Sequence, residues 1–386
     1  MTHEVVRRVE ELAAQLAATA EKSERLGRLT DESVKLVREA GVMRLLQPGD
    51  AGGYAAHPRD FAEAVMAAAA QCGSAGWVCG VGGVHQWEVA LMDPRLQAEV
   101  WPGGPESWIA SPYAPQGVAR PADGGYRLSG HWNFSSGTDH CDWALLGALA
   151  VDDGGRPVRP MKVLHVVVPR ADYTIIEDSW DVIGLVGTGS KDVVVEDVFV
   201  PGYRTVDADE VAQGAPAAQR AGRDEALYKI PFWVIYPLGI TAAVIGMADG
   251  VLAAHLAYQR GLAAAGGRKT DPYVLHTVSE AAADIAASRT QLLDDVSRIY
   301  DQADRGQEIT TGERALIRRN QVRCSWRAVT AVDQIFACSG GNAVRRRTPI
   351  QRFWRDAHVG LQHAIHAPGP VYRSAALNAL GLPAEA

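Results

Sequence analysis

Strand-forming sequence in this chain is confined to one block, with helix-patterned sequence on both sides. Val163-Leu164-His165-Val166-Val167-Val168 and Val193-Val194-Val195 are β-branched runs bounded by Pro and Gly, and Asp123-Gly124-Gly125 and Asp153-Gly154-Gly155 read as hairpin turns. Before the block, Val5, Val9, Leu12 and Leu16 form one apolar stripe, and Thr30-Asp31-Glu32-Ser33 offers a cap for a helix that Gly41 stops. A further helix is expected from Arg59 through Gln71 after a Gln47–His57 loop. After the block, Leu292, Val296, Ile299 and Ala303 form one stripe and Val322, Trp326, Val329 and Phe336 another, with Gly306 and Gly312 bracketing the turn between. Strands and helices do not alternate, so a doubly wound sheet is excluded. The expectation is an α+β, mostly α chain: an N-terminal helical domain over 1–107, a middle β-domain over 108–206, and a C-terminal helical bundle over 224–386. Residues 207–223, rich in Ala, Gly, Gln and Pro, read as a linker or mobile loop.

Composition removes several function classes. The 386 residues are 47% hydrophobic and 22% charged, with a formal net charge of −7 and no basic stretch interleaved with aromatics, so no nucleic-acid partner is expected. Arg345-Arg346-Arg347 reads as a solvated helix end or loop, or as a contact for an anionic cofactor group. Five cysteines without CxxC spacing argue against a disulfide framework or zinc site and fit reduced thiols in the cytoplasm. Charged residues from Arg7 to Glu24 are not interrupted by a signal-peptide core. The apolar stretch Val234–Ala248, broken by Pro237, is too short for a bilayer and reads as a buried helix, so no membrane partner is expected.

Local motifs leave alternatives open. Gly187-Thr188-Gly189-Ser190 lacks the following helix that a phosphate cradle needs, and reads as a β-turn. In Gly130-His131-Trp132-Asn133-Phe134-Ser135-Ser136-Gly137, a planar ligand has Trp132 or Phe134 to lie against and a Ser135 or Ser136 hydroxyl at its polar edge; a strand ending in a turn explains the same residues. His85, His363 and His366 are the acid–base candidates, against a purely structural role. His358, His363 and His366 do not line one helix face, and no HExxH accompanies them, so no metal is expected. The segment Gln351–His358 mixes Arg, Asp, Phe and Trp, which suits a site, a subunit contact or an amphipathic helix.

Together these segments resemble the acyl-CoA dehydrogenase superfamily over nearly the whole chain. Gly184-Leu185, Gly187–Ser190 and Val198-Phe199-Val200-Pro201 resemble its pattern closing the β-domain, and Leu128–Gly137 its flavin-contacting strand and turn. Cys72–Trp77, Gly83–Trp87, Ser111–Pro115, Ser135–His140 and Arg352–His358 resemble the group D flavin-dependent monooxygenase branch, which includes 4-hydroxyphenylacetate 3-hydroxylase and steroid-degradation phenol hydroxylase oxygenase components.

The resemblance implies an acyl-CoA dehydrogenase-like fold with a middle β-barrel and a C-terminal four-helix bundle. It implies hydroxylation of a phenolic substrate by reduced FMN (FADH2 being the alternative) and O2 through a C4a-hydroperoxide. It also implies a separate NAD(P)H-dependent flavin reductase and a homotetramer. Carried over by position, Trp77, Ser111, Pro112, Tyr113, Phe134, Ser135, Ser136, Gly341, Asn342, His363 and Ala364 would line the flavin, with Arg260 at its phosphate. His363, His85 and Ser136 would be catalytic, His363 accepting the phenol proton. Gly80, Gly82 and Gly83 would leave room beside His85 for a fused or extended aromatic. N-hydroxylation of an amine or amino sugar is one alternative. Acyl-CoA dehydrogenation is another, with Asp249, Glu280 or Glu385 as the carboxylates available for its base.

Overall fold

The computed structural model describes residues 2–102, 107–264 and 271–383. Six helices come first: α1 (Glu4–Glu11), α2 (Ala13–Leu26), α3 (Asp31–Ala40), α4 (Pro58–Ala69), α5 (Gly73–Val89) and α6 (Pro94–Val100). The apolar stripe from Val5 to Leu16 is shared between α1 and α2, which meet at Leu12. Thr30 caps α3 by accepting the Ser33 N–H, and Gly41 ends it in the left-handed region at φ 84°.

Eight strands follow: β1 (Ile109–Ala110), β2 (Gly117–Ala122), β3 (Gly125–Ser135), β4 (Trp143–Ala150), β5 (Val163–Pro169), β6 (Thr174–Ile176), β7 (Lys191–Pro201) and β8 (Thr205–Asp207). They form one sheet in the order β6-β7-β3-β2-β4-β5-β8, with β1 beside β4. Among the described residues the end strands β6 and β8 do not pair. Asp123-Gly124 turns β2 back on β3, as expected, with Gly124 at φ 75°. Trp132 is fully buried in the sheet's own core, and its Nε1–H donates to Gly147 O at 2.7 Å. It is therefore packing, and the expectation that a ligand lies on it is corrected.

The remaining helices are α7 (Ala208–Val211), α8 (Ala215–Ala221), α9 (Phe232–Ala264), α10 (Pro272–Asp304), α11 (Thr311–Cys338), α12 (Pro349–Leu361) and α13 (Pro368–Ala379). The 207–223 segment is thus not a linker: α7 and α8 bury Val211, Ala217 and Ala218. Helix α9 continues through Pro237, which sits in its second turn where a missing N–H removes only one ladder bond. At 33 residues α9 is long and apolar enough to cross a membrane, but most of it is buried in the core.

One hydrophobic core joins the N-terminal helices to α9–α12. Its centre is the crossing of α5 and α9. A Cβ on Gly80 would lie 2.5 Å from Gly239 O, and one on Gly239 would lie 2.1 Å from Gly80 O. Here only glycine lets two helix backbones touch. Gly80→Ala is expected to destabilise the fold by about 1–3 kcal/mol through overpacking; a urea midpoint equal to that of the unaltered protein would show that the crossing can relax.

Candidate active site

Helix α5 supplies one wall of the site, and every residue in it is buried. Its polar side chains must therefore find partners inside the protein. His85 Nδ1 faces Ile109 O at 2.5 Å, so it carries the proton and donates. Its Nε2 then accepts from the Ser111 hydroxyl at 2.6 Å. The result is a neutral Ser111–His85 dyad, and burial pushes the His85 pKa down to about 4. The glycines around His85 do not leave room beside it: Gly80 meets Gly239, Gly82 meets Met43 and Gly83 meets Phe61. The expectation of a pocket for a fused ring at that point is corrected.

One turn beyond His85 stands Glu88, fully buried. It accepts from Tyr113 Oη–H and from His165 Nδ1–H, both at 2.5 Å. Burial, with the Glu88 charge second, holds the Tyr113 pKa well above the usual phenol range, so Tyr113 stays a donor. Its ring is packed edge-on to His85, Phe232 and Tyr236, and tilted against His165, with centroids 4.8–5.6 Å apart. Phe232 stacks on Tyr236 at 5.1 Å, and Trp233 extends the group towards solvent. Pro112, between Ser111 and Tyr113, accepts the Gly147 N–H and ties this segment to β4.

The opposite wall comes from α12 and the turn after it. His363 lies between Trp77 at 6.0 Å and Tyr236 at 6.3 Å, centroid to centroid. It caps the short turn Ala364–His366, its Nδ1 accepting the Ile365 N–H at 3.2 Å. The proton of the neutral ring is therefore on Nε2. Burial, aided by the Arg318 charge, pushes the pKa down to about 4. His363 in this arrangement is a hydrogen-bond donor, which corrects its expected role as acceptor of a phenol proton. His366 is pinned by Gly360 O and the Ser325 hydroxyl, and His358 faces Trp354 O and Asp333.

Trp77, Ser135 and Ser136 stand together where β3 ends. A directed chain runs from Trp77 Nε1–H to Ser136, Ser190 and Thr188 and closes on Leu185 O, with links of 2.7–3.2 Å. Ser136 thus spends its hydroxyl proton within the protein, and the turn Val186–Ser190 is the chain's anchor. Ser135 Oγ is fully buried with no partner. Such an orphan fits a polar edge of a bound ring, so the flavin that the resemblance implies has a hydroxyl to meet there, beside the flat face of Trp77. Phe134, by contrast, is 67% exposed at φ 68° with its edge on Trp180.

Three expected flavin contacts lie elsewhere. Arg260, Gly341 and Asn342 are exposed, and Asn342 Nδ2 donates to Tyr258 near the far end of α9. Arg260 is a helical rise of roughly 36 Å from Tyr236. Within one chain these residues do not join the Trp77–His363 group. Ala364 follows His363 directly but is exposed. The polar segment of α12 is used inside the chain: Arg352 and Arg355 pair with Glu24, and Asp356 accepts the Leu185 N–H at 2.6 Å. The carboxylates a dehydrogenase would need are also placed away from the aromatic group. Asp249 pairs with Arg289, Glu280 is exposed on α10, and Glu385 is outside the described residues.

Sequence reasoning missed Glu88, His165 and Arg318. The signal for the first two was present: Glu88 is the one carboxylate in the apolar run Gly73–Val89, and His165 interrupts a β-branched run. Each breaks a pattern that burial would otherwise keep apolar.

Residues 238–368 match the model for the acyl-CoA dehydrogenase C-terminal domain. The chain is 51% identical over 383 residues to a pigment production hydroxylase of Rhodococcus erythropolis, covering 99% of this chain and 97% of that one. It is 41% identical to the HsaA oxygenase subunit of a flavin-dependent monooxygenase from Rhodococcus jostii, covering 98% of each. Among solved structures, the 3-HSA hydroxylase from Rhodococcus sp. RHA1 superposes with a TM-score of 0.93 at 40% identity, covering 100% of this chain and 99% of that one.

Two outcomes follow from the site's geometry. Ser136→Ala breaks the hydroxyl chain and should lower stability by about 1–3 kcal/mol, whereas Ser135→Ala removes an orphan and should be neutral or mildly stabilising; thermal melts showing equal losses would contradict the assignment. The second concerns pH. An unfolded histidine takes up its proton near ~6.5, but folded His85 and His363 do so only at about 4 and His366 at about 3. Between those values the unfolded chain holds more protons, so stability falls as pH drops. Asp356, raised by burial to about 6, and Asp60 and Asp249, also raised by burial, work the other way, but His57, His140 and His255 are lowered by burial like the first three, so three carboxyls stand against six histidines. The urea midpoint should fall from pH 7 towards pH 5 (an interval set by the ~6.5 reference value), and a flat or rising midpoint would count against three neutral buried histidines.

Proposed function

The chain belongs to the flavin-dependent monooxygenases of the acyl-CoA dehydrogenase-like group, as an oxygenase component of the HsaA type, and we propose from its site that it hydroxylates a phenol held between the Ser111–His85 dyad and His363. It works on an aromatic substrate with a separate reductase as its partner. The observation that carries the phenol reading is the dyad: a hydroxyl backed by a neutral imidazole stands two residues from Tyr113, whose ring begins the aromatic wall.

Reduced flavin, when bound, would supply the two electrons that activate dioxygen, one oxygen atom of which goes to the ring and the other to water. Trp77 offers it a flat face and Ser135 a free hydroxyl. Tyr113, Phe232 and Tyr236 surround the substrate ring and keep water from it. The phenol O–H donates to Ser111 Oγ, whose own proton already points at His85 Nε2. Electron density released by that hydrogen bond makes the ring a better nucleophile. His363 Nε2–H donates from the other side to developing negative charge.

FMN is the form we assign, on the resemblance to the FMN-using oxygenases, and NADH or NADPH the reductase's electron source. Arg260, Gly341 and Asn342 sit too far from Trp77 to serve the same flavin within one chain. They would reach the flavin of a neighbouring copy, which supports a homotetramer. Five free cysteines support a cytoplasmic protein.

With reduced FMN, oxygen and a panel of phenols, Ser111→Ala and His363→Ala should each lower hydroxylation about 10²–10⁴-fold while consuming flavin and releasing hydrogen peroxide. Unchanged product yield in both variants would remove the phenol assignment from this site.

A further inference from the structure

The hydroxyl chain of the site begins and ends beside one buried carboxyl. It starts at Trp77, one turn into α5, and closes on Leu185 O. Asp356, on α12, is buried, and its Oδ1 accepts the Leu185 N–H at 2.6 Å. Its Oδ2 lies against the first turn of α5, where a Cβ on Gly73 would stand 2.8 Å from it. There a carboxylate faces the positive end of the helix dipole. Asp356 thus closes a ring that runs through α5, the turn after β3, the Val186–Ser190 turn and α12.

The Leu185 turn needs such support. Leu185 stands at φ 53°, a left-handed conformation that a branched side chain keeps only when its surroundings fix it. Helix α12 fixes it at two further points. Arg355 Nη1–H donates to Ile183 O, and a Cβ on Gly184 would lie 2.4 Å from the Arg355 carbonyl oxygen. One turn along α12, Gly360 packs on the Trp77 ring, where a Cβ would lie 3.0 Å from Cζ3. His363, just past the end of the helix, meets the same ring. The charged and titratable groups around Asp356 are Arg352 and Arg355 on its own helix, Glu24 on α2 and the Cys72 thiol at the head of α5. Both arginines pair with Glu24. Burial raises the Asp356 pKa to about 6, so the carboxyl is ionised at neutral pH. A buried charge is costly, and packing alone does not require one. What it supplies here is a fixed acceptor for one N–H.

We propose that Asp356 is a positioning residue for the flavin wall: by holding Leu185 against the head of α5, it sets the hydroxyl chain that aims Trp77 and leaves the Ser135 hydroxyl free. The inference rests on Trp77 and Ser135 being the wall that meets the flavin. Asp356 acts through Leu185, Thr188, Ser190 and Ser136, and touches neither flavin nor substrate. Because α12 leads into His363, the same helix registers the flavin wall against the substrate wall.

The test is binding of reduced FMN to the full chain, by equilibrium dialysis without oxygen, with a thermal melt of each variant. Asp356→Ala removes the acceptor and should weaken binding about tenfold or more. Asp356→Asn keeps an acceptor for the Leu185 N–H and should lose only about threefold. Thr188→Val cuts the chain further along and should weaken binding about as much as Asp356→Ala. Behind Thr188→Val, either change at Asp356 should then cost almost nothing more, because residues in one network are not additive. A merely structural carboxyl would lower the melting temperature and leave FMN affinity unchanged, or give losses that multiply in the double variants; either result overturns the proposal. The asparagine variants carry the same test if the alanine variant does not fold. Ser135→Ala separates the two readings. If it weakens FMN binding and the Asp356 variants do not, the positioning role falls and the flavin wall stands. If Ser135→Ala binds reduced FMN as tightly as the unaltered protein, both fall.

Discussion

The contact between Gly80 and Gly239 governs the geometry of the site. Because the two backbones touch, α5 and α9 are held at a separation that no side chain adjusts. Helix α5 carries Trp77, His85 and Glu88, and α9 carries Phe232 and Tyr236. The crossing therefore sets the distance between the dyad and the aromatic wall before any ligand is present. It also explains why α5 shows no polar face. A helix enclosed all round keeps a charge only where other elements bring it partners.

Those partners come from the sheet and the bundle, and they come with opposite sign. Tyr113 and His165, from the loop after β1 and from β5, satisfy Glu88 on one side. Arg318, on α11, stands on the other with neutral partners only. Tyr236 lies between the two fields. Burial raises the Tyr236 pKa most; the Glu88 charge raises it further and the Arg318 charge lowers it, so the Tyr236 hydroxyl sits on a gradient between the two. The Glu88–His165 contact has a second effect: removing His165 or Tyr113 takes a hydrogen-bond donor from a fully buried carboxyl, which is costlier than never having placed the carboxyl there.

Local features of the chain were legible because local chemistry determines them. Thr30 caps a helix, Gly41 ends one, and Asp123-Gly124 turns a hairpin, each for reasons contained within a few residues. The likeness of Trp77, Ser111 and Ser135-Ser136 to a flavin-binding pattern singled out residues that the fold brings to buried polar contacts, Ser111 with His85 and Trp77 with Ser136. What was not legible depends on pairs far apart in sequence. Glu88 and His165 are 77 residues apart, and Arg318 and Ile365 are 47 apart. Nothing near Trp132 indicates that the sheet will enclose it, and nothing near Gly82 indicates that Met43 will fill the space it leaves. The segment 207–223 was misread for a related reason: its alanines have weak periodicity, and packing of α8 on the turn Ala226–Lys229 and of α7 on β5 and β8, rather than pattern, makes them helical.

The two histidines show how the same side chain acquires opposite functions from its backbone setting. His85 lies inside a helix, where its ring reaches the free carbonyl of Ile109 at the start of the sheet. A carbonyl accepts only, so Nδ1 must carry the proton and Nε2 is left as an acceptor. His363 lies at the first position of a turn, where the nearest unsatisfied group is an N–H. An N–H donates only, so Nδ1 must be bare and Nε2 is left as a donor. Both rings are neutral because burial makes charging them costly. The two rings thus differ at Nε2: on His85 it is an acceptor, which the Ser111 hydroxyl fills, and on His363 it is a donor. Residue type alone made each histidine a general acid–base candidate; the backbone group opposite Nδ1 decides which of the two hydrogen-bonding roles each one has.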